Sequence, residues 1–186
     1  MHKKNRWFGF TAAILITLAL AVSSTPALAG SKAEIDSGVD TALQNLMATT
    51  PAAKELAGIA KGILVFPRIV KAGFIVGGQA GEGALVKNGK TAGYYKTIAL
   101  SYGYQAGVQA FGYALFFTTD SAMAYLERSS GWEIGVGPGI TIVDEGVARS
   151  LSTTTAKAGI YAFFFDQKGL MAGAGIQGSK ITRIYP

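Results

Sequence analysis

The chain has 186 residues, 17 Lys plus Arg against 11 Asp plus Glu for a formal charge of +6, no cysteine and one histidine, His2. Without a thiol, and with its single imidazole next to the start, the body of the chain is excluded from cysteine-nucleophile, Ser-His-Asp, zinc-cluster and disulfide chemistry. Stability must then come from core packing, for which the length suffices in one domain.

Lys3, Lys4 and Arg6 precede an apolar stretch over residues 7–22 that is broken only by Thr11 and Thr17. Ser23-Ser24-Thr25-Pro26 and the small-x-small triplet Ala27-Leu28-Ala29 follow, the pattern of a secretory signal. Cleavage is expected after Ala29, leaving Gly30 as the mature N-terminus. The alternative, an uncleaved anchor, fits less well, because the apolar stretch is at the short end for a spanning helix. No Cys stands at the cleavage site, so no diacyl anchor is expected. The signal takes three cations and no acid out of 17 and 11, which leaves +3, and it removes His2 as well. That balance is well short of a nucleic-acid binder's basic field, and export argues against nucleic acid too. A local patch facing anionic lipid remains compatible with it.

Residues 32–47 read as an amphipathic helix, with Ile35, Val39, Ala42, Leu43, Leu46 and Met47 on one face. Ser31 and Glu34 have capping-box spacing. Asp36, Asp40, Gln44 and Asn45 make the other face acidic or neutral, unlike a basic membrane-surface helix, so it is expected to pack on a sheet. Pro51 is placed to start a second helix over residues 52–60.

From Lys61 the pattern becomes β. An apolar run over residues 62–66 ends at Pro67, which cannot donate to a ladder, so this strand is expected to stop or run along an edge there. A second run over residues 73–76 ends in Gly77-Gly78. Lys61, Arg68 and Lys71 then surround a basic link between two short buried strands. Asn88-Gly89 is a strong hairpin signal. Residues 94–100 and 104–117 read as strands. Asp120 is expected to cap a short helix over 121–128, with Met123, Ala124 and Leu126 inward. Residues 132–143 read as a strand region bent at Gly137-Pro138-Gly139. A buried strand over 159–165, a turn at Asp166-Gln167-Lys168-Gly169, and strands over 170–176 and 180–185 close the sheet. Helices first and consecutive strands afterwards predict an α+β fold, with a strongly curved or barrel-like, largely antiparallel sheet and one short inserted helix. Twenty-five glycines favour such curvature. The expected organisation is a signal at 1–29, a helical segment at 30–59 and a β-rich domain at 60–186.

Gly173-x-Gly175-x-x-Gly178 matches a dinucleotide fingerprint on paper, but the chain ends eight residues after Gly178 with no helix or βαβ unit to follow. It reads as glycine in a bent closing strand. Gly77-Gly78-x-x-Gly81-x-Gly83 lacks the Lys-Ser/Thr of a phosphate loop. Asp144-Glu145 offers hard oxygens for calcium but no alternate-acid ligand loop, and Glu82 and Glu133 are isolated. No catalytic group, metal or cofactor is expected. Most aromatic residues suit a core. Tyr94, Tyr95, Tyr102, Tyr104 and Tyr113 divide between core and interface, since Tyr fits a surface with one wet side. Lys61, Arg68 and Lys71, joined by Lys87, Lys90 and Lys96 from the neighbouring hairpin, form a candidate headgroup-binding patch; the bland alternative is a solvated rim.

Residues 60–86 (AKGILVFPRIVKAGFIVGGQAGEGALV), SYGYQAGVQ at 101–109, the short helix after Thr119, GWEIGVGPG at 131–139 and FDQKGLMAGAGIQGSKI at 165–181 together resemble the SYLF domain, a family of small lipid-binding modules. Tyr104 stands where many members have Trp. The resemblance implies a stand-alone bacterial exported member with affinity for anionic phospholipid, and basic residues near the start of the domain, here Lys61, Arg68 and Lys71, are implicated in that contact. Eukaryotic members also bind phosphoinositides and actin, which are improbable ligands for an exported bacterial chain. The expectation is a non-enzymatic, periplasmic, peripheral lipid-binding protein. Alternatives are a small outer-membrane β-barrel, an envelope protein-interaction scaffold, or an enzyme using carboxylates or Ser/Tyr without His.

Overall fold

The computed structural model describes residues 30–73, 76–102, 107–128, 131–144, 148–149, 151–152, 154–165, 176 and 178–186. The expected signal, Tyr104, Glu145, the turn at 166–169, all but Ile176 of the expected strand over 170–176, and two of the fingerprint glycines lie outside them.

Helix α1 (Lys32–Thr49) opens on the expected capping box. The Ser31 hydroxyl accepts from the Glu34 N–H at 3.3 Å, and the Glu34 carboxylate accepts from the Ser31 N–H at 2.8 Å. That Ser31 N–H, and after it the Ser31 hydroxyl, which donates to the same carboxylate oxygen at 2.8 Å, hold the Glu34 carboxyl below its ordinary pKa. Ile35, Val39, Leu43 and Leu46 make the buried stripe. Helix α2 (Pro51–Ala57) starts on Pro51 and buries Ala52, Ala53 and Leu56.

Strand β1 (Gly62–Gly73) corrects one expectation. Pro67 does not end it. The strand passes through as a bulge, its pairing shifting between Val65 and Arg68 on one neighbour and between Phe66 and Ile69 on the other. A bulge needs no donor from the inserted residue, so proline is tolerated there. The basic link is therefore the second half of a long strand. Glycines on both flanking strands permit the kink. A Cβ on Gly83 would collide with the Val65 carbonyl, and one on Gly112 with the Pro67 carbonyl and the Phe165 ring.

Strands β2 (Val76–Lys87) and β3 (Lys90–Tyr102) are joined by Asn88 and Gly89 at φ 51° and 71°, the left-handed pair of a tight hairpin. Strand β4 (Gly107–Phe117) returns along β1. Helix α3 (Asp120–Arg128) follows. Its cap is Thr119 rather than Asp120, since Thr119 Oγ1 accepts from the Ala122 N–H at 3.3 Å. Ala122, Met123 and Leu126 are its buried residues, and Ala124 is only half-buried.

The bent strand region expected over 132–143 is two strands. β5 (Trp132–Glu133) and β6 (Ile140–Ile142) lie on opposite edges of the sheet. With β7 (Ile160–Phe165) and β8 (Lys180–Ile184), the eight strands run in the order β5-β8-β3-β2-β1-β4-β7-β6, antiparallel except for β6 with β7. This arrangement forces the curl. Eight flat strands would put the edges about 34 Å apart at ~4.8 Å per step. The chain from Glu133 to Ile140 spans at most about 25 Å fully extended. The sheet is accordingly a strongly curved half-barrel, as an α+β chain with a curled sheet requires.

Both faces of the sheet carry core. Inside the curl, Leu64, Phe66, Ile69, Tyr113, Leu115 and Phe117 pack with Trp132, Ile134 and the buried side of α3. On the outer face, Ile63, Val65, Ala84, Ala114 and Phe116 lie under α1 and α2. This explains the unbroken apolar runs in β1, β4 and β7: a strand covered on both sides has no polar alternate.

Candidate functional site

Past the bulge, β1 presents Arg68, Val70 and Ala72 to the outer face and Ile69 and Lys71 to the inner one, following strand alternation. Register extends this outward set across four strands. Arg68 pairs with Glu82, and Glu82 with Lys96. The next outward row is Ile98, Ala80, Val70 and Ala110, and the one beyond it Leu100, Gly78, Ala72 and Val108. One charged row thus borders two apolar rows.

The helices stop at the charged row. The Gly30 N–H donates to Glu82 Oε2 at 2.8 Å, and Gly38 of α1 sits against the Pro67 ring. Asp36 accepts from Thr91 Oγ1 at 2.7 Å and from the Tyr94 hydroxyl at 2.9 Å, tying α1 to β3. Loss of solvent, then the Asp36 carboxylate, raises the Tyr94 pKa. Beyond this line the face is open. Val70, Ile98, Leu100 and Val108 are 39%, 47%, 72% and 74% exposed, and Ala72, Ala80 and Ala110 are exposed too. Four strands by two rows make an apolar patch about 14 Å wide and 7 Å deep. Scattered exposed apolar residues are ordinary, but a contiguous bordered set points to a contact surface.

The six lysines and arginines singled out from sequence fall in three places. Arg68 and Lys96 share the charged row, both exposed, with Glu82 between them. Lys71 is half-buried on the inner face, opposite Gln79 and Gln109. Lys61, Lys87 and Lys90 lie at the other end of the sheet, near α3. There Lys61 approaches Asp120 at 3.7 Å, Lys87 pairs with Glu127, and Lys90 stands opposite Lys87 beyond the hairpin turn. Lys32, which sequence reasoning passed over, holds its ammonium 6.0 Å from the Tyr94 ring centroid, on the same side as Lys96. Lys180 shares the row of Ile98 but stands opposite Glu133 on β5.

Tyr113 and Tyr95 are buried in the inner core, Tyr113 donating to Thr97 Oγ1 at 3.2 Å. They belong to the core half of the expected division. The side chains of Tyr102 and Tyr104 lie outside the described residues. Among the described residues no three His, Cys, Asp or Glu side chains gather as a metal-binding group, and no helix is long and apolar enough to cross a membrane.

The apolar residues of the patch were the larger omission. Their signal was present: Ile98 and Leu100 alternate with the buried Tyr95, Thr97 and Ala99, so β3 is apolar on both faces. Nothing local in the sequence marks where the helical cover ends. No family model matches the chain. No curated protein matches it either.

Proposed function

We propose that this chain is an exported, non-enzymatic protein that binds the surface of anionic phospholipid membranes through the uncovered half of its outer sheet face. The observation that carries the reading is the pair of exposed apolar rows beside the Arg68–Glu82–Lys96 row. Leu100 and Val108 would enter the headgroup–acyl boundary while Arg68, Lys96 and Lys32 meet phosphates. Moving each of the two most exposed side chains out of water is worth on the order of 1–2 kcal/mol. Each cation near an anionic bilayer is worth about 1 kcal/mol. The apolar share is therefore at least comparable to the ionic one, and capture is less purely electrostatic than the sequence suggested. The segments resembling the SYLF domain support the same class of ligand.

Vesicle co-sedimentation of the exported chain, with neutral and anionic vesicles at low and high salt, tests this. Wild type is expected to prefer anionic vesicles and to keep part of its binding at high salt. Leu100→Ser with Val108→Ser should weaken binding at every salt concentration by tenfold or more. Arg68→Glu with Lys96→Glu should remove the preference for anionic vesicles. All four positions are exposed, so the fold should survive. Wild-type sedimentation by folded forms of both variants would overturn the reading, as would no sedimentation of wild type.

A further inference from the structure

We infer that removal of the signal creates an ion pair: the new α-ammonium of Gly30 docks on Glu82 and raises the charge of the membrane-facing row. The inference rests on the expected cleavage after Ala29 and, for its lipid consequence alone, on the function proposed above.

Glu82 lies on β2 with Arg68 and Lys96 as its cross-strand neighbours, yet its Oε2 accepts from the main-chain nitrogen of Gly30, 52 positions earlier, at 2.8 Å. Both residues are half-buried. In the precursor that nitrogen is an amide and carries no charge. Hydrolysis of the Ala29–Gly30 peptide bond adds water across it, giving Ala29 a carboxylate and Gly30 an amine that takes up a proton. The same atom then donates as an ammonium, and a charge-assisted bond replaces a neutral one. The row of Arg68, Glu82 and Lys96 carries +1 in the precursor and, with the ammonium, +2 in the mature chain.

The surroundings fit a built seat. A Cβ on Gly30 would lie 3.3 Å from Glu82 Oε2 and 3.3 Å from Ile35 Cγ1, tighter than most side chains accept, so glycine suits the position. Ser31 and Glu34 fix the next residues through the capping box, which aims the Gly30 nitrogen. The charged groups around the amine are Glu82 on β2, Arg68 on β1, Lys96 on β3, and Lys32, Glu34 and Asp36 on α1. Of these, only Glu82 is bonded to the Gly30 nitrogen; Glu34 is engaged by Ser31, and Asp36 by Thr91 and Tyr94.

The full chain would be produced with export, its N-terminus read by mass spectrometry, and its α-amine titrated by NMR. The expected N-terminus is Gly30, with an amine pKa about one unit above the ordinary 7.7–8.0 that returns to the ordinary range in Glu82→Gln. A different N-terminus, or the same titration in both proteins, overturns the docking whatever vesicles do. A semisynthetic Nα-acetylated chain supplies the lipid arm. It should bind anionic vesicles about fivefold more weakly than the free-amine form, the effect of one cation near the surface. Equal binding would overturn the link to the membrane while the titration still decides the ion pair.

Discussion

Tyr113 is fully buried, with its hydroxyl on Thr97, and burial pushes its pKa far up, the Thr97 bond opposing. Burial raises Tyr95 as well. The neutral phenol is the form the fold accepts, whereas an unfolded chain ionises near pH 10. Stability contributed by these groups is therefore intact below about pH 10 and is lost as pH climbs through their folded values. For Tyr113 alone the loss approaches about 1.4 kcal/mol per pH unit above 10. Urea unfolding between pH 8 and 12 should show a flat plateau and then a steep alkaline fall. Tyr113→Phe should soften that fall, at a cost of about 1 kcal/mol at pH 8 from the Thr97 hydroxyl left without its donor. An unchanged alkaline limb in Tyr113→Phe would assign the fall to other groups.

The bulge at Pro67 is where elements meet under the tightest steric terms. It turns β1 while Gly83 and Gly112 let the backbones close on either side. Gly83→Ala puts a methyl into the Val65 carbonyl and should cost about 2–3 kcal/mol or more. Gly139→Ala, with nothing near its Cβ, should fall within about 0.5 kcal/mol of wild type. Similar urea midpoints for the two would remove the glycines from the account of the kink. Elements whose information is local were legible in sequence: the capping box of α1, Pro51 at the start of α2, and the Asn88-Gly89 turn. Those defined by distant partners were not. Pro67 reads as a stop unless flanking glycines are known to receive a bulge. Residues 132 to 143 read as one region because nothing local says that Trp132 pairs with Ile181 while Ile140 pairs with Ile160. The candidate site divides in the same way. Arg68 and Lys96 were named from their places beside the apolar runs and the hairpin, but the grouping that separates them from Lys61, Lys87 and Lys90 depends on register. The open apolar rows depend on how far α1 reaches.

At the scale of the whole molecule, the half-barrel has an inner core and an outer core separated by one sheet, and only part of the outer face is covered. The covered half supplies the rigidity on which the open half is displayed, so truncating Leu100 or Val108 removes contact area without disturbing packing. The strands β1 to β4 pair with neighbours close in sequence, except that β1 also takes β4. Outside these four, β8 does not: it joins β3 by pairing position 184 with position 94. Local hairpins close in microseconds, while distant pairings wait on loop closure. Pulsed hydrogen exchange should find amides of β2 and β3 protected early and those of β8 last; simultaneous protection would mean that the sheet assembles in one step. If the chain is exported from its N-terminus, as proposed above, one side of β3 stays without its partner until positions 180–184 have emerged. Delivery of β3 would then precede its completion, and the interval between them is when a chaperone holding that bare strand edge would matter most.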